Sequence, residues 1–347
     1  MNTDVWIVDK YVDNLENNPQ VVDAANFLRK NEVVALPTET VYGLGGNAES
    51  DEAVAKIFAA KGRPVDNPLI IHIADRSQLS SFVSEVPKTA EKLIDAFWPG
   101  PLTIIFKKKD GVLSEKATAG LNTVAVRMPD HPVALALLKT CGLPIAAPSA
   151  NSSGHPSPTK AQHVLDDLNG KIAGVLDGGA TGVGVESTVI DCTEVIPVIL
   201  RPGGVTKEQL EAVVGDVNED AALMDQSARP KAPGMKYTHY APNAPLYMVA
   251  GPKEFLQSLV AEKQQEGLRV GVLTTEENRQ FYEADVVLSC GKRAELKTVA
   301  AALYDTLRSF NQDNVDIIFS EIFPNEGVGH AIMNRLQKAA GHKLITE

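Results

Sequence analysis

Short β-branched runs alternate with amphipathic helical patterns along most of this chain, and that alternation limits the fold more than any other feature. Apolar residues at every second position indicate strands, whereas spacings of three and four residues indicate helices. Several strand-like runs follow one another with no helix between them, most plainly in STVIDCTEVIPVIL. Since neighbouring parallel strands need a long crossover, the sequence predicts a twisted, open α/β sheet of mixed direction.

The alternation is interrupted once, and the interruption divides the chain. We predict a first α/β domain over residues 14–215. Residues 216–244 lose the periodicity and gain proline, alanine, aspartate and asparagine, which is typical of a linker. The alternation resumes over residues 245–347, which predicts a second, smaller, doubly wound α/β domain. The linker ends in KAPGMKYTHYAP, which is richer in binding side chains than a passive tether requires.

Charge and composition exclude some classes of function. The net charge of -11 at pH 7 argues against a broad nucleic-acid-binding surface, because such surfaces are normally basic. A small anionic substrate remains compatible, because a few converging cations can focus the field inside a cleft. No apolar run is long enough to span a bilayer, and three cysteines are too few for a disulfide framework. We therefore expect a cytoplasmic protein that does not enter a membrane.

The common catalytic and phosphate-binding motifs are missing from the sequence. It contains no Walker A loop, and GLGGNA only partly matches a dinucleotide-binding fingerprint. It also contains no H-E-x-x-H, no paired C-x-x-C and no G-x-S-x-G motif. A phosphate site would therefore be assembled from side chains and unusual loops.

The segment PTETVYGLGG follows the strand-like run VVAL and offers several binding groups. Thr38 and Thr40 supply hydroxyls, Tyr42 supplies an aromatic face, and the glycines of GLGG could let the backbone approach a ligand. An ordinary glycine-rich turn explains the same pattern equally well.

A second segment, KGRPVDNP, combines two cations with an amide. Lys61 and Arg63 lie two residues apart before the strand-like run LIIHI, and Asn67 can both donate and accept hydrogen bonds. The combination suits an oligophosphate, although a solvated helix end would account for the two cations as well. His72 lies inside LIIHI, where a histidine is more often a core residue than a ligand contact.

Two further cations lie at strand ends. Arg127 closes TVAVR among apolar neighbours, and a buried guanidinium needs a protein carboxylate or a substrate anion as its partner. Arg201 ends PVILR, and Ser187 begins STVID. Lys61, Arg63, Arg127 and Arg201 give one domain four cations, and a triphosphate of about four negative charges requires a set of that kind.

The segment PIAAPSANSSGHPSP has small residues and hydroxyls after its first positions, without large side chains. Such a stretch is either a loop of no functional consequence or a backbone that can wrap around a nucleotide. Its polar groups include Ser149, Asn151 and Ser157.

With these residues the chain strongly resembles the threonylcarbamoyl-AMP synthases in their long form, in which a YrdC-like catalytic domain precedes a smaller, Rossmann-like domain. The motifs PTETVYGLG, KGRP..NPL..H, WPGPLT, VAVRMP, APSAN.SG, ESTV.D and LRPG occur in this order and span the first domain. Short fragments such as GLGG carry little weight alone, so the specificity lies in the ordered combination.

The resemblance implies an enzyme with a positively charged cavity and a staged nucleotidyl transfer. L-threonine would take up bicarbonate to form an N-carboxylate, which would attack the α-phosphorus of ATP and release pyrophosphate. A partner complex would then transfer the threonylcarbamoyl group to an adenosine of tRNA. Such a reaction depends on positioning and charge neutralisation rather than on a covalent enzyme intermediate.

The resemblance also assigns residues by position. Lys61 and Arg63 would be the catalytic cations beside the phosphates, and Arg127 would bind the carboxylate of threonine. The residues placed around threonine are Thr40, His72, Arg127, Ala147 and Ser187. The residues placed around ATP are Lys61, Arg63, Asn67, Thr123, Ser149, Asn151, Ser157, Arg201 and Tyr240. Tyr240, or alternatively Tyr237, would close over the nucleotide when the linker crosses the cavity.

The remaining expectations concern the metal ion and the partners. Mg²⁺ would arrive with ATP and bind through phosphate oxygens and water, because no carboxylate cage is recognisable. We expect product transfer to a tRNA threonylcarbamoyl transferase complex, no tight direct tRNA binding, and a monomer or homodimer. Two alternatives stay open, namely an RNA-binding module without catalysis and a carbamoyl-adenylate-forming enzyme, although the zinc-finger cysteine pairs of the latter are missing.

Overall fold

A computed structural model describes residues 2–223 and 239–347 of the chain. The described residues form two compact units. The first contains residues 2–153, 158–182 and 186–223, and the second contains residues 154–157, 183–185 and 239–347. Of the predicted linker, residues 224–238 lie outside the described part, and Tyr237 is among them. The predicted domain limits therefore stay a prediction.

The first unit combines a large sheet with helices. Its strands are β1 (Asp4–Ile7), β2 (Val34–Leu36), β3 (Gly43–Asn47), β4 (Ile70–His72), β5 (Leu102–Lys107), β6 (Thr123–Arg127), β7 (Ile145–Ala146), β8 (Gly174–Asp177), β9 (Thr188–Asp191), β10 (Val198–Arg201) and β11 (Asn218–Glu219). Its α-helices are α1 (Pro19–Arg29), α2 (Asp51–Lys61), α3 (Leu79–Phe82), α4 (Lys88–Phe97), α5 (Pro132–Cys141), α6 (Ala161–Leu168) and α7 (Lys207–Val214). Short 3-10 helices cover Leu15–Asn17, Arg76–Gln78 and Ala221–Leu223.

These strands form one sheet in the order β1-β8-β2-β3-β7-β4-β6-β5-β9-β10-β11. The sheet contains both parallel pairs, such as β4 with β6, and antiparallel pairs, such as β5 with β6. The predicted mixed α/β sheet is therefore confirmed. Antiparallel neighbours need no helical crossover, which explains the helix-free run from β9 to β10.

The helices cover the sheet through two separate apolar clusters. Helices α1 and α5 pack with β1, β2 and β8 through residues such as Leu28 and Leu137. Helices α2, α4, α6 and α7 contribute residues such as Ile57 and Leu93 to the larger cluster. Each helix buries the apolar stripe that its sequence period predicts.

Local signals fix the ends of α2, the helix that delivers Lys61. The Ser50 side chain accepts a hydrogen bond from Ala53 N at 3.2 Å, which caps the helix start. Gly62 ends the helix in the left-handed conformation, with φ of 62°, which glycine adopts without steric cost. Lys61 is thus the last residue of the helix.

The second unit is a smaller, doubly wound α/β fold, as predicted. Its strands are β12 (Leu246–Ala250), β13 (Val270–Thr274), β14 (Val286–Ser289), β15 (Ile317–Glu321) and β16 (Leu344–Thr346), and its helices are α8 (Lys253–Gln265), α9 (Leu296–Ser309) and α10 (Val328–Ala339). All pairs in the order β14-β13-β15-β12-β16 are parallel. The carboxyl ends of these strands consequently meet at one edge of the sheet.

The glycine-rich sequence GLGG forms strand β3, so the glycine-rich turn that the sequence left open is wrong at these positions. A Cβ at Gly45 would lie 2.9 Å from both Ile145 and Leu36, and one at Gly46 would lie 3.1 Å from Ile57. Glycine is therefore required by close packing within the sheet. Tyr42 is also fully buried in the core, where its hydroxyl donates to Gly179 O at 2.6 Å, so it offers no aromatic face to a ligand.

Within residues 2–223 and 239–347, no helix combines the length and the apolar character that a membrane crossing requires.

Candidate active site

A row of polar side chains crosses the middle of the first sheet. His72 on β4 lies opposite Arg127 on β6, and Thr103 on β5 and Arg201 on β10 both lie opposite Val189 on β9. Because Ile104 faces Val126 in the antiparallel β5–β6 pair, Thr103 lies beside Arg127. Residues in register share one face of a sheet, so the row places these polar groups together.

An apolar floor adjoins this row on the same face. It consists of Ile70, Ile105, Ala125, Val189 and Leu200, all of them buried. Low-polarity surroundings strengthen every electrostatic interaction made within them. The arrangement therefore places the Arg127 charge beside buried, apolar side chains.

Arg127 is the most constrained cation of the row. It is 4% exposed, and its Nη1 donates to Thr40 Oγ1 at 2.8 Å, while its Nε donates to Gly100 O at 3.3 Å. Its Nη2 lies 2.6 Å from Glu39 Oε1. Of the two partners that the sequence allowed for Arg127, a protein carboxylate or a substrate anion, the structure therefore contains the first. Neither carboxylate oxygen of Glu39 accepts a hydrogen bond of good geometry from the described chain, so this carboxylate balances the Arg127 charge without being fully hydrogen-bonded.

The loop that carries Thr40 is held by its own hydroxyls. Thr38 Oγ1 lies 2.9 Å from Thr40 Oγ1, and it donates to Val41 O at 2.6 Å. The backbone N–H groups of Thr40 and Val41 both point to the same Thr38 oxygen, at 3.2 Å. Thr38 therefore closes a local turn that aims Thr40 at the Arg127 guanidinium.

His72 is buried and electrically neutral at ordinary pH. Burial and the adjacent Arg127 charge lower its pKa to about 3. Its Nδ1 lies 3.2 Å from Ile70 O, so that carbonyl favours the tautomer with the proton on Nδ1. This leaves Nε2 as an acceptor that could receive a hydrogen bond from an ammonium or hydroxyl group.

Ser187 and Arg201 form the other end of the row. Ser187 Oγ lies 2.7 Å from Thr103 Oγ1, and Arg201 donates through Nη2 to Ser187 Oγ at 3.2 Å. Arg201 also donates through Nε and Nη2 to Ser187 O, at 3.1 and 3.0 Å. The predicted residues Ser187 and Arg201 are thus in direct contact, and Thr103, which bonds to Ser187, neighbours Arg127 in the strand register.

Lys61 is held beside the loop that follows β7. It is 4% exposed, and its Nζ donates to Ser149 O and, at 2.5 Å, to Asn151 O. Ser149 Oγ donates to Asn151 Oδ1 at 2.6 Å, and Ser153 N donates to Lys61 O at 2.8 Å. Three residues predicted to contact ATP therefore form one cluster in the structure.

The other predicted residues of the first unit lie on the elements around these two groups. Arg63 follows the helix cap, with Nη2 3.5 Å from Pro68 O, and Asn67 is buried in the same loop. Ala147 is buried and extends the β7–β4 pairing by donating to Ile70 O at 2.9 Å. Thr123 begins β6 and is half-buried opposite Lys107. Their binding roles stay predictions.

Two predicted ATP contacts group with the second unit. Ser157 is fully buried in the segment 154–157. Tyr240 is 5% exposed and has a φ of 66°, with its ring centroid 5.1 Å from that of Tyr304. The contact of Tyr240 with a nucleotide stays a prediction, and the alternative, Tyr237, lies outside the described residues.

Sequence reasoning missed two residues of the site. Glu39 stands between the two threonines of PTET, and the need of Arg127 for a carboxylate was the only signal that could have pointed to it. Thr103 is the single hydroxyl in the apolar run LTIIF, and its polarity at an inward-facing strand position marked it.

The comparisons with known proteins place this architecture in a defined class. A family model described as telomere recombination matches residues 26–203, so the first unit is of the YrdC-like class. A model described as the C-terminal domain of threonylcarbamoyl-AMP synthase matches residues 205–341.

Full-length relatives define the family. A threonylcarbamoyl-AMP synthase of Bacillus subtilis is 61% identical over 99% of this chain and 100% of its own length. Another, from Pyrococcus abyssi, is 49% identical over 93% of this chain and 94% of its own length. A crystal structure of P. abyssi Sua5 in complex with L-threonine superposes with a TM-score of 0.93 at 46% identity, over 99% of this chain and 100% of that one. The chain belongs to the threonylcarbamoyl-AMP synthase family.

Proposed function

We propose that this chain converts L-threonine, bicarbonate and ATP to threonylcarbamoyl-AMP and pyrophosphate, as a nucleotidyltransferase. Family membership over both units supports the reaction. Within the molecule, the observation that carries the proposal is the buried Arg127 in a row of polar groups above an apolar floor. The alternatives of a non-catalytic RNA-binding module and a carbamoyl-adenylate-forming enzyme receive no comparable support.

The chemistry proceeds through two bond-forming steps. The threonine amine attacks the carbon of bicarbonate, and loss of water leaves an N-carboxylate. One oxygen of this carboxylate then bonds to the α-phosphorus of ATP, and the bond from that phosphorus to the β-phosphate oxygen breaks. Because bicarbonate, ATP and the N-carboxylate are anions, and threonine itself carries a carboxylate, the protein must supply positive charge and fixed orientation.

Arg127 is the proposed carboxylate clamp for threonine. In the structure its guanidinium is shared between the hydroxyl of Thr40 and the carboxylate of Glu39. A substrate carboxylate can take over the Nη2 contact because Glu39 holds it by charge alone, without a well-aligned hydrogen bond. Binding of threonine is then an exchange of one carboxylate for another.

The neutral groups beside Arg127 would recognise the rest of the amino acid. His72 does not compete for the substrate as a second cation, because its pKa of about 3 keeps it uncharged. Its ring and the hydroxyls of Ser187 and Thr103 offer hydrogen bonds within the same row. Ala147 is small, which leaves room for a side chain at that position.

Lys61 and Arg63 are the proposed catalytic cations, since they would neutralise the phosphates as pyrophosphate leaves. Lys61 is anchored by carbonyl oxygens of Ser149 and Asn151, so its position is set before ATP arrives. Preorganised charge of this kind lowers a barrier without reorganisation during the reaction. Arg201, together with Asn67 and Thr123, would contact the remainder of the nucleotide.

Mg²⁺ would enter the site as part of the ATP complex. Among residues 2–223 and 239–347, no group of three His, Cys, Asp or Glu side chains is arranged to hold a metal ion, so we assign no step to a protein-held metal. Phosphate oxygens and water are the ligands that Mg²⁺ usually retains at such sites. The ion therefore belongs to the substrate in this proposal.

The proposed cellular setting follows from the product. A threonylcarbamoyl adenylate is a reactive mixed anhydride, so a cytoplasmic transferase complex acting on tRNA would consume it. The net charge of -11 favours transfer without tight tRNA binding by this chain. We propose a monomer or homodimer.

The test is pyrophosphate release from ATP, Mg²⁺ and bicarbonate with each amino acid in turn. We expect release with L-threonine and little with D-threonine or with L-threonine methyl ester, which lacks the carboxylate that Arg127 would bind. Equal release with and without threonine would contradict the proposed function.

A further inference from the structure

The second unit contains a cavity that the proposed reaction does not use. It measures about 270 Å³ and lies at the carboxyl edge of the parallel sheet, next to Gly251, Lys253, Asn278, Tyr282, Arg293 and Glu321. In doubly wound folds this edge is the usual place for a ligand. The volume is slightly below the range of about 300–1,000 Å³ for drug-sized ligand pockets, so it suits a ligand smaller than a nucleotide.

The cavity is built around one buried carboxylate. Glu321, the last residue of β15, is 7% exposed. Its Oε1 accepts hydrogen bonds from Asn278 Nδ2 and Tyr282 OH, both at 2.7 Å, and its Oε2 accepts one from Arg293 Nη2 at 2.8 Å. Three donors, two from the β13–β14 connection and one from the segment between β14 and α9, are thereby fixed around the cavity.

The charged residues that line the cavity are Lys253, Arg293 and Glu321, so the lining has one more positive than negative formal charge. Glu321 neutralises Arg293, and Lys253 adds a second cation to the lining, with its Nζ 4.4 Å from the centroid of the Phe281 ring. The Arg293 side chain is still accessible to a ligand, because 36% of it remains exposed beside the cavity. Two cations against one carboxylate make the cavity attractive to an anion.

Helix α8 begins beside the cavity and adds to its attraction for an anion. Its N-cap is Pro252, which provides no side-chain cap for the first N–H groups of a 13-residue helix. Uncapped N–H groups and the helix dipole favour a negative group at a helix start. The acidic residue of the first turn, Glu254, does not line the cavity.

A buried hydroxyl gives an independent indication of a ligand. Thr274 ends β13, is fully buried, and its Oγ1 has no hydrogen-bond partner in the described chain. Leu273 lies opposite Ser320, so the next residues, Thr274 and Glu321, are neighbours on the same face. That face packs against α8, since Val270, Val272 and Phe319 share one cluster with residues of α8. The hydroxyl is thus directed to the side of the sheet on which the cavity lies.

We propose that this cavity binds a small anion with a carboxylate or phosphate group, held by Arg293, Lys253 and the first N–H groups of α8. Glu321 acts as a positioning residue that orients Arg293. The site lies in the unit that contains none of the proposed catalytic cations, so it provides a place for a regulatory metabolite to act.

The test uses the full chain with two probes, inorganic phosphate and succinate, and with neutral succinamide as the matched control. Calorimetric titration measures affinity, and hydrogen-exchange mass spectrometry locates the site. We expect saturable binding of at least one anion, no binding of succinamide, and slower exchange in peptides covering 250–258 and 274–294. Preference for phosphate or for succinate identifies which anionic group the site takes.

Two variants and one control link the binding to the cavity. Arg293→Gln should weaken binding about tenfold or more, as expected for loss of a charge-assisted hydrogen bond. Because this change also unpairs buried Glu321, Lys253→Gln provides a second test that leaves the Glu321 contacts intact, and we expect weakening of about threefold or more. Arg279→Gln removes the same charge from an exposed position outside the lining and should leave affinity unchanged.

Three results would overturn the proposal. The first is the absence of saturable binding of both anions, and the second is wild-type affinity in both Arg293→Gln and Lys253→Gln. The third is protection confined to peptides around Lys61 and Arg63, which would assign the anion to the first unit. Each of these results leaves the proposed synthase reaction intact, because that reaction is tested by pyrophosphate release.

Discussion

Each unit buries a glutamate against an arginine, but the two pairs differ in which partner is satisfied. In the first unit, Arg127 is buried and the Glu39 carboxylate lies 2.6 Å from it without accepting a hydrogen bond of good geometry from the described chain. In the second unit, Glu321 accepts three hydrogen bonds, whereas the side chain of Arg293 remains 36% exposed. The first pair is suited to exchanging its partner for a substrate carboxylate, and the second is suited to holding an arginine in place.

The surroundings of the two pairs reinforce this difference. Arg127 lies in the interior of a mixed sheet, in a row of polar residues contributed by several strands. Glu321 lies at the carboxyl edge of a parallel sheet, where loops supply its partners. Arg127 is therefore a polar residue inside an apolar strand, whereas Glu321 belongs to a polar cluster at a strand end. The two arrangements are different signals of function.

The largest expected effect is on pyrophosphate release, which should depend on cations of the first unit and not on those of the second. Lys61→Ala combined with Arg63→Ala should lower threonine-dependent pyrophosphate release about a thousandfold or more, because preorganised charge beside the phosphates is lost. Arg279→Ala combined with Lys292→Ala removes two exposed cations from the second unit and should leave turnover unchanged. Normal turnover in the Lys61 and Arg63 variant, with circular dichroism showing an intact fold, would move the phosphate site elsewhere.

Acid should destabilise the first unit through its buried histidines. Burial lowers the pKa of His72 to about 3 and that of His131 to about 4, both from 6.5. The unfolded chain therefore binds more protons, so stability is complete above pH 6.5 and falls as pH decreases. At pH 5 each of the two histidines should lower the free energy of unfolding by about 2 kcal/mol.

Urea unfolding followed by tryptophan fluorescence measures this loss, because Trp6 and Trp98 both lie in the first unit. The variant His72→Gln combined with His131→Gln should flatten the dependence between pH 7 and pH 5. His342→Gln, at an exposed position of the second unit, should retain the wild-type slope. A wild-type profile that is flat over this range would show that the two histidines titrate normally.

The next comparison sets the two glutamates against each other. Glu39→Gln should lower the free energy of unfolding by about 3 kcal/mol, because it leaves the buried Arg127 charge uncompensated. Glu321→Gln should cost about 1–2 kcal/mol, because Arg293 can be hydrated when its partner is neutral. Equal losses in urea unfolding would remove the proposed distinction between the pairs.

The smallest expected effect concerns threonine affinity. Arg127→Ala should weaken threonine binding by about 1.5–3 kcal/mol, the usual contribution of a charge-assisted hydrogen bond. Calorimetric titration with L-threonine measures it, and Arg76→Ala, at an exposed position of the same unit, is the matched control. Unchanged affinity in Arg127→Ala would exclude it as the carboxylate clamp.

Much of the fold could be predicted because its signals are local. The period of SDEAVAKIFAAK and its terminal Gly62 determine α2, and the apolar runs VVAL and LTIIF form β2 and β5 within a residue or two. The strand β3 could not be predicted from composition, since GLGG is also typical of a turn. Contacts with Leu36 and Ile145 decide in favour of a strand, and these depend on the folded sheet.

The site could be predicted only where a residue conflicts with its surroundings. Arg127 stands out because a cation in an apolar strand requires a partner, but the sequence left a protein carboxylate and a substrate anion equally open. The partner, Glu39, is distant in sequence and reaches Arg127 only through the sheet. Likewise, the link from Thr103 to Ser187 depends on the register of β5 with β9.

The fate of the bicarbonate carbon tests the proposed reaction most directly. The chain is incubated with ATP, Mg²⁺, L-threonine and isotopically labelled bicarbonate, and the adenylate is analysed by mass spectrometry. We predict one labelled carbon in an adenylate that contains threonine, with pyrophosphate released in equal amount. An unlabelled threonyl adenylate, or pyrophosphate release without incorporation of the label, would contradict the proposed reaction.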